Sequence, residues 1–286
     1  MTDVTTRPWS REVVRVVSWN IERGLQFPGI LKFLRTIEAD LILLQEVDLN
    51  ARRTHYRDVA SELAHALNLN VVFGREFEEL SQGSIASPAF QGQATLSPWP
   101  LSNGRIIQFR DQSNFWQPRW FVPELEVFQR RIGGRIALVS EANVYGRKVV
   151  TYNLHLESKG DDALRVRQLA EVLEDCRRYT DWPVFVGGDF NLIAGRGDAA
   201  NILREAGFHN AVRLLERPTT PVHGVAHHAR AIDWIFVSED WDFQGRVHDD
   251  VHASDHYPVS VTVPASALTA GRHLPGQPET GAGVQS

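Results

Sequence analysis

Short runs of apolar residues recur along the chain between clusters of Gly, Pro, Asn and Asp. Runs that are apolar at nearly every position are typical of strands covered on both faces. The pattern predicts eight strands, at Val13–Asn20, Leu41–Gln45, Gln93–Leu96, Arg135–Val144, Lys148–Leu154, Val184–Val186, Ile232–Val237 and Val259–Val263.

Two other stretches carry apolar residues at helical spacing. In the first, Ile30, Phe33, Leu34 and Ile37 fall at positions i, i+3, i+4 and i+7. The second repeats every three or four residues, at Val166, Leu169, Leu173 and Cys176. An apolar stripe of this kind predicts an amphipathic helix that covers one face of a sheet.

The first half of the pattern is echoed in the second half. Residues 16–22 (VVSWNIE), a helix and residues 41–46 (LILLQE) are mirrored by 149–155 (VVTYNLH), a helix and 183–189 (PVFVGGD). In each half the second strand ends in a carboxylate, Glu46 or Asp189. The echo predicts a duplicated α/β fold with functional groups at strand ends, where a rigid backbone positions them.

Composition divides the chain into three parts. Residues 265–286 are rich in Gly, Pro and small residues, which predicts a disordered tail. No similar linker interrupts residues 11–264, so we expect one domain there, preceded by an extension at 1–10.

Charge and cysteine content limit the partners. The 30 Lys and Arg residues against 35 Asp and Glu residues give a net charge of −5, which counts against nucleic acid without excluding it. Cys176 is the single cysteine, and residues 1–10 lack the features of a signal peptide. No run approaches the ~20 apolar residues of a transmembrane helix. We expect a cytoplasmic protein without a transmembrane segment or an obligate protein partner.

Polar residues that interrupt the apolar runs are the candidates for chemistry. Each costs about 1 to 3 kcal/mol if it is buried unpaired, so we expect them to meet at one site. They are Asn20, Glu22, Gln45, Glu46, Asn153, His155, Asp189, Asn191, Asp233, Asp255 and His256.

Four of the carboxylates among them, Glu46, Asp189, Asp233 and Asp255, would repel one another at one site without a cation. Oxygen ligands without Cys indicate Mg²⁺, with Mn²⁺ as a second choice, and the histidines keep Zn²⁺ as an alternative.

Seven segments in order resemble the endonuclease/exonuclease/phosphatase superfamily of metal-dependent phosphoesterases. They are SWNIE at 18–22, LQEVD at 44–48, GQATLS at 92–97, NLHLES at 153–158, GGDFNL at 187–192, IDWIFVS at 232–238 and SDHYPV at 254–259. The resemblance covers about residues 13–263. It implies a four-layer α/β sandwich in which two mixed β-sheets pack face to face, with helices outside and a pseudo-twofold relation between halves.

The resemblance also implies roles for the metal-binding and catalytic residues. Glu46 is then the main metal ligand, with Asn20 and Asp255 beside it. His256 lies at the scissile phosphate, as a proton acceptor or as a charged donor, with Asp233 orienting its ring. The nucleophile is activated and positioned by Asp189 and Asn191, and the phosphate receives a hydrogen bond from His155. The sequence leaves open which of Asp189 and His256 is the general base, and Glu22 and Glu157 are further candidates.

Three residues are candidates for substrate binding: Arg53, Gln93 and Asn153. Arg53 follows the Glu46 strand and could meet a second phosphate. Gln93 stands where many members of the superfamily carry Asn, which puts a direct phosphate contact in doubt. For Asn153 a buried orienting role is the alternative.

Two further segments have open interpretations. The arm from Ser97 to Arg135 interleaves aromatic and arginine residues, which suits base stacking, a lipid interface or simply a buried core. His223, His227 and His228 lie in a Pro/Gly/Ala loop, which we interpret as solvated rather than as a second metal site.

The resemblance implies hydrolysis of a phosphodiester by in-line attack of water, and we favour a nuclease. A phospholipid phosphodiesterase or an inositol-phosphate phosphatase is the alternative, because one site serves all these chemistries. A non-catalytic domain that binds phosphate ligands or proteins is a hypothesis of another class.

Overall fold

The computed structural model describes residues 12–113, 115–116, 130–212, 217–221 and 229–269. The predicted extension at 1–10, the loop histidines His223, His227 and His228, and residues 270–286 of the predicted tail lie outside them. Within the described part, no helix is long and apolar enough to cross a membrane.

The described residues form thirteen strands. They are β1 (Val13–Arg23), β2 (Leu41–Leu49), β3 (Asn70–Glu78), β4 (Phe90–Ser97), β5 (Leu101–Gln108), β6 (Ile132–Gly133), β7 (Ile136–Val144), β8 (Arg147–His155), β9 (Val184–Asp189), β10 (His209–Asn210), β11 (Asp233–Val237), β12 (Gln244–Val247) and β13 (Val259–Pro264). All eight predicted strands are confirmed. Of those missed, β6, β10 and β12 are short and the edge strand β5 is largely polar and exposed, whereas β3 is long and mixes apolar with charged residues.

The strands form two mixed sheets. The first has seven strands in the order β12-β13-β1-β2-β4-β3-β6, and the second has six in the order β10-β11-β9-β8-β7-β5. β1 runs parallel to β2, and β8 runs parallel to β9. The other pairs are antiparallel. The predicted fold class of two mixed sheets is thus confirmed.

The helices lie between the strands. They are α1 (Phe27–Ile37), α2 (Val59–Leu67), α3 (Asp162–Cys176), α4 (Gly197–Glu205) and α5 (Ala265–Thr269), with a 3-10 turn at Arg52–Thr54. The two predicted amphipathic helices are found as α1 and α3. One joins β1 to β2 and the other joins β8 to β9, so the sequence echo corresponds to one parallel β-α-β unit in each sheet.

Three apolar clusters separate the layers. One lies between the first sheet and helices α1 and α2, with Trp19 and Leu63 among its members. Another lies between the second sheet and helices α3 and α4, with Leu169 and Leu203. The third lies between the two sheets and joins Val16 of β1 to Phe185 of β9. This arrangement is the predicted helix, sheet, sheet, helix order.

The predicted tail begins later than the sequence indicated. Residues 265–269 form α5, in which Leu268 is fully buried in the cluster between the sheets, and the backbone nitrogen of Ala265 donates to the carbonyl of Glu12. The expectation of disorder from residue 265 is therefore wrong for these residues. Ala265 and Leu268 are the two residues of this segment whose side chains pack in that cluster, and the segment continues the last strand as a helix.

Polarity changes along the face where the two sheets meet. Alternate residues of β1 point inward, and they run from Val14 and Val16 through Ser18 to Asn20. In β8 the corresponding series is 149, 151, 153 and 155, which runs from Val to His. The layer between the sheets is thus apolar at one edge of the sandwich and polar at the other.

The strand directions bring the predicted site residues to that polar edge. The carboxyl ends of β1, β2, β8 and β9 lie there, together with the amino ends of the antiparallel strands β11 and β13. Residues distant in sequence are thereby gathered from both sheets.

Candidate active site

A histidine and a carboxylate form a buried pair at the polar edge. The His256 Nδ1 atom lies 2.9 Å from Oδ2 of Asp233 and 3.1 Å from Oδ1. On the other side of the ring, Nε2 lies 3.8 Å from Oδ2 of Asp189. Asp233 is 1 % exposed and His256 is 8 % exposed, so the pair is shielded from solvent on all but its outer side.

The charge of His256 follows from these neighbours. Burial by itself would lower the pKa of the ring, but the carboxylates of Asp233 and Asp189 outweigh it and raise the pKa to about 10. This pKa makes His256 an imidazolium at neutral pH, in which both ring nitrogens carry a hydrogen and Nδ1 donates to Asp233.

A second histidine approaches the same carboxylate from β8. The Nε2 atom of His155 lies 3.6 Å from Oδ2 of Asp189, while its Nδ1 lies 3.2 Å from Oε2 of Glu76. Arg135 Nη1 lies within 2.6 Å of Glu76 Oε1 and within 2.9 Å of both ring nitrogens of His155. Glu76 and Arg135 thus fix the His155 ring.

Sequence reasoning did not include either Glu76 or Arg135 in the site. Glu76 lies in the strand β3, which was not predicted, and Arg135 was treated as the start of a strand. The sequence does carry a signal that Arg135 belongs to the site: this arginine directly precedes the apolar strand β7, whose amino end lies at the polar edge.

Two asparagines orient Asp189. The Asn20 Nδ2 atom donates to Oδ2 of Asp189 over 3.2 Å. The backbone nitrogen of Asn191 donates to Oδ1 of Asp189 over 2.9 Å, and its side chain donates to the carbonyl of Leu156. With φ at 52°, Asn191 adopts the left-handed conformation, which Asn tolerates better than most residues. Asp189 is therefore held on both oxygens.

The carboxylates predicted to bind metal lie next to this group. Pairing of β1 with β2 shifts register between Asn20 and Arg23, and pairing of β2 with β4 shifts between Leu44 and Val47. Glu22 and Glu46 have left-handed backbones at these irregularities, with φ of 45° and 51°. β-Bulges re-aim side chains in this way and are common beside active sites.

The charges around Glu46 and Glu22 differ. Burial would raise the pKa of Glu46, but the positive charges of Arg23, His155, Arg135 and Arg131 lower it to about 2. The pKa of Glu22 is raised, first by burial and then by the negative charge of Asp255, with a further contribution from Glu46. Glu22 therefore lies within electrostatic range of both Asp255 and Glu46.

These groups fit a hard divalent cation. Glu46, Asp255 and Glu22 offer carboxylate oxygens, and the amide oxygen of Asn20 lies beside them, accepting a hydrogen bond from the Glu22 nitrogen over 3.1 Å. Asp189, Asp233 and His256 form a second buried group, whose ligand atoms lie within 4.8 Å of one another. A charged imidazolium is a poor ligand, so the oxygen set suits Mg²⁺ or Mn²⁺ better than the mixed set suits Zn²⁺.

The predicted substrate-binding residues are not gathered at this site. Gln93 is fully buried, donating to the carbonyl of Ile136 and accepting from the nitrogen of Leu138. Asn153 is also fully buried, donating to the carbonyls of Leu44 and Ala94. Both amides join the first sheet to the second, and the orienting alternative for Asn153 is the one this geometry supports. Both side chains are enclosed by protein groups, and their predicted contact with substrate stays a prediction.

Arg53 lies on the far side of Glu46. Its Nε and Nη2 atoms bind both oxygens of Asp48, over 2.7 and 2.6 Å, and Nη1 binds Glu79 over 3.1 Å. The side chain is 20 % exposed, so its predicted contact with substrate stays a prediction.

The aromatic arm is partly core and partly rim. Trp99 and Phe109 are buried, whereas Phe115 is 49 % exposed. The Trp116 Nε1 atom donates to Glu157 over 3.2 Å, and Arg135 Nε lies 3.9 Å from the same carboxylate. Glu157 thus connects the arm to the His155 group. Residues 114 and 117–129 of the arm lie outside the described residues.

This arrangement defines a class of protein: a phosphoesterase sandwich, with histidines, acids and amides from both sheets gathered at one edge. The chain belongs to the Endonuclease/Exonuclease/phosphatase family, whose family model matches residues 17–256. Members of this family are hydrolases that act on phosphoester bonds, and they typically depend on divalent metals. No curated protein matches the sequence.

Solved structures share the fold at low sequence identity. The endonuclease/exonuclease/phosphatase protein of Beutenbergia cavernae is 19 % identical, with a TM-score of 0.62, over 89 % of this chain and 72 % of that one. Truncated TDP2 of Caenorhabditis elegans is 19 % identical, with a TM-score of 0.58, over 88 % and 98 %. SmcL is 14 % identical, with a TM-score of 0.65, over 88 % and 99 %. These similarities show the fold and leave the substrate open.

Proposed function

We propose that this protein is a phosphodiesterase that depends on Mg²⁺ or Mn²⁺ and that nucleic acid is its substrate. The proposal depends above all on one observation: Oδ2 of the buried Asp189 accepts a hydrogen bond from Asn20 at 3.2 Å and lies 3.6 Å from Nε2 of His155 and 3.8 Å from Nε2 of His256. A base flanked by two histidine donors is what attack of water on a phosphate requires.

The side chains divide the reaction between them. Asp189, held by Asn20 and Asn191, takes the proton of the attacking water. His256 is already an imidazolium, so it acts as the donor that stabilises charge on the phosphate rather than as the general base. The His155 ring, held by Glu76 and Arg135, donates a hydrogen bond to another phosphate oxygen. When bound at Glu46, Asp255 and the Asn20 amide oxygen, a divalent cation supplies Lewis-acid polarisation of the phosphate.

A second candidate has its own supporting observation. Leu25, Tyr56, Ile85 and Phe115 are large hydrophobic residues that are 45 to 106 % exposed. They follow β1, β2, β3 and β5, whose carboxyl ends lie at the edge that carries the site. Exposed apolar side chains around a site favour a lipid interface, so a phospholipid phosphodiesterase is the alternative.

Hydrolysis assays with a panel of substrates test the proposal. We expect the purified protein with Mg²⁺ or Mn²⁺ to hydrolyse bis(p-nitrophenyl) phosphate and single-stranded or duplex oligonucleotides, and EDTA to abolish both activities. Faster turnover of phospholipid vesicles than of oligonucleotides would favour the second candidate. A metal-loaded, folded protein that is inert on all of these substrates would contradict catalysis and favour a phosphate-binding domain. Zn²⁺ as the sole activating ion would contradict the oxygen-ligand site.

A further inference from the structure

A group of arginines lies beside Glu46, with its acidic partners beneath it. The side chains of Arg23, Arg53 and Arg131 are 27, 20 and 14 % exposed, whereas those of Asp48 and Glu79 are 0 and 2 % exposed. Solvent therefore meets the three guanidinium groups and the carboxylate of Glu46, whose side chain is 17 % exposed, whereas Asp48 and Glu79 are covered. The exposed side of the group thus carries three arginines and one acidic residue, although the chain as a whole is acidic.

Arg131 is held rigidly in this group. Its Nη2 lies 2.9 Å from Oε1 of Glu79, and its Nη1 donates to Oε1 of Gln91 over 3.1 Å. The guanidinium carbon lies 5.2 Å from the ring centre of Phe77 and 5.3 Å from that of Trp116. Stacking and ion pairing fix the plane of the Arg131 guanidinium before a ligand binds, which lowers the entropic cost of binding.

Two of the arginines reach the same metal-binding carboxylate. Arg23 Nη2 lies 3.3 Å from Oε2 of Glu46, and Gln91, the partner of Arg131, donates to that same oxygen over 3.3 Å. The pKa of Arg131 is lowered, mainly by burial, and the positive charges of Arg23 and Arg53 contribute. Two guanidinium groups that act on each other electrostatically are stabilised by an anion that contacts both.

Arg53 differs from the other two arginines because its hydrogen-bond donors are mostly occupied by buried carboxylates. Asp48 occupies two of its donors and Glu79 a third. Among the described residues, Arg131 donates one hydrogen bond, to Gln91, and pairs ionically with Glu79, while Arg23 pairs ionically with Glu46; every guanidinium carries five N–H groups. Arg53 is therefore an anchor for Glu79, and Arg23 and Arg131 are the groups able to bind a ligand.

We propose that Arg23 and Arg131 form a second phosphate subsite beside Glu46. It binds a phosphate group of the substrate other than the one that is hydrolysed, so it rests on the proposed function and narrows the substrate to molecules with at least two phosphates. That second phosphate belongs either to the next nucleotide of a chain or to a polyphosphorylated small molecule.

The first test compares substrates with one and two phosphates. The measured quantity is kcat/KM for a thymidine dinucleotide with a terminal phosphate, for the same dinucleotide without it, and for bis(p-nitrophenyl) phosphate. We expect Arg131→Gln to lower kcat/KM for the doubly phosphorylated substrate at least about tenfold more than for the other two, as loss of a charge-assisted hydrogen bond predicts. Arg131→Lys, which keeps the charge, should recover part of this loss.

Arg75→Gln is the matched control. Arg75 is an exposed arginine in the same sheet that stacks on Phe90 at 4.0 Å, and it neighbours Glu76 on the opposite face of β3. We expect this variant to keep the wild-type preference between substrates. An equal loss on all three substrates in Arg131→Gln, or the same loss in Arg75→Gln, would overturn the subsite.

The second test measures binding without catalysis. In EDTA, fluorescence anisotropy of a labelled oligothymidylate gives the affinity and its dependence on salt. Removing one phosphate contact should reduce the slope of log K against log[salt] by about 0.7 for a single strand. Competition by inositol hexakisphosphate that Arg131→Gln abolishes would support the subsite with a small polyphosphate as its source.

Failure of the subsite and failure of the proposed function give different results. Arg131→Gln with wild-type affinity, salt slope and competition overturns the subsite even if hydrolysis is normal. Loss of hydrolysis on every substrate by the wild-type protein overturns the proposed function, while the binding measurement still decides the subsite. Melting temperature identifies any variant that fails to fold, and Arg131→Lys then replaces Arg131→Gln.

Discussion

The layer between the two sheets has an apolar end and a polar end. The same strands form both ends, but the first supplies stability and the second supplies the residues of the candidate site. At one end Val14, Val16 and Leu41 face Phe185 and Ile235 in an apolar cluster. At the other end the inner positions are polar or charged, and Asn20, Gln45 and Asp233 each contact a partner from the opposite sheet or from a loop. The alternation of side chains is the same at both ends, so the position along the strand decides whether an inner residue supplies stability or chemistry.

The partners at the polar end explain how so many charges are tolerated there. Asp233 is balanced by His256, Glu76 by Arg135, and Asp48 by Arg53. An unpaired charge at these depths would cost several kcal/mol. Glu22 is close enough to Asp255 and Glu46 for their charges to raise its pKa, with Arg23 as a nearby cation, and this is the corner at which we propose that a divalent ion binds.

Asp189→Asn, at the polar end, should have the largest effect on catalysis and little effect on stability. We expect kcat to fall about 10³-fold or more because the proton acceptor is lost, while the melting temperature stays near that of the wild type. The measurement is hydrolysis of bis(p-nitrophenyl) phosphate at saturating Mg²⁺, beside a thermal melt. Asp240→Asn is the control, since its side chain is 81 % exposed. Turnover within tenfold of wild type would exclude Asp189 as the general base.

Leu41→Ala should produce the opposite result. The side chain is fully buried at the apolar end, so its truncation should lower the free energy of unfolding by about 2 to 5 kcal/mol. kcat of the folded enzyme should stay within about twofold of wild type, because the change lies at the other end of the layer. Urea unfolding and turnover below the melting transition measure both quantities. Ile106→Ala, at a 46 % exposed position, is the control. A large loss of turnover in Leu41→Ala would mean that the two ends are coupled.

Much of the fold could be predicted from the sequence, because apolar runs and helical spacing depend on local composition. The eight apolar strands and the residues at their ends were predictable in this way, as was the gathering of Asp189, Asp233, His155 and His256. Glu76 and Arg135 were not, because their importance comes from a contact between strands 59 positions apart. The backbone partners of Gln93 and Asn153 could not be predicted either, because a polar residue in an apolar run indicates a buried partner without indicating whether that partner is substrate or backbone.

Asp233→Asn tests the charge of His256 in the metal-free protein. We expect the ring to titrate at about pH 10 in the wild type, and at lower pH in the variant, because Asp233 is the main charge that raises this pKa. The folded pKa lies above the ordinary value of 6.5, so the stabilisation is complete below pH 6.5 and is lost as the pH rises through about 10. The stability gap between wild type and variant should therefore narrow towards pH 10.

NMR of the imidazole in EDTA and urea unfolding at several pH values measure these two quantities. Asp250→Asn, at a side chain that is 70 % exposed, should leave the His256 titration unchanged. A wild-type ring that titrates near its ordinary pKa would contradict the imidazolium and return His256 to the position of a candidate general base.

Asn153→Ala should have the smallest effect on catalysis. It tests whether position 153 of β8 belongs to the part of the layer that supplies stability or to the part that supplies chemistry. The variant leaves the carbonyls of Leu44 and Ala94 and the amide of Gln45 without their partner, which should cost about 1 to 3 kcal/mol of unfolding free energy. KM should change by less than about twofold, since the side chain touches only protein. Asn143→Ala, an exposed asparagine of the adjacent strand β7, is the matched control. A raised KM with unchanged stability would restore Asn153 as a substrate-binding residue and extend the chemical end of the layer by one position of β8.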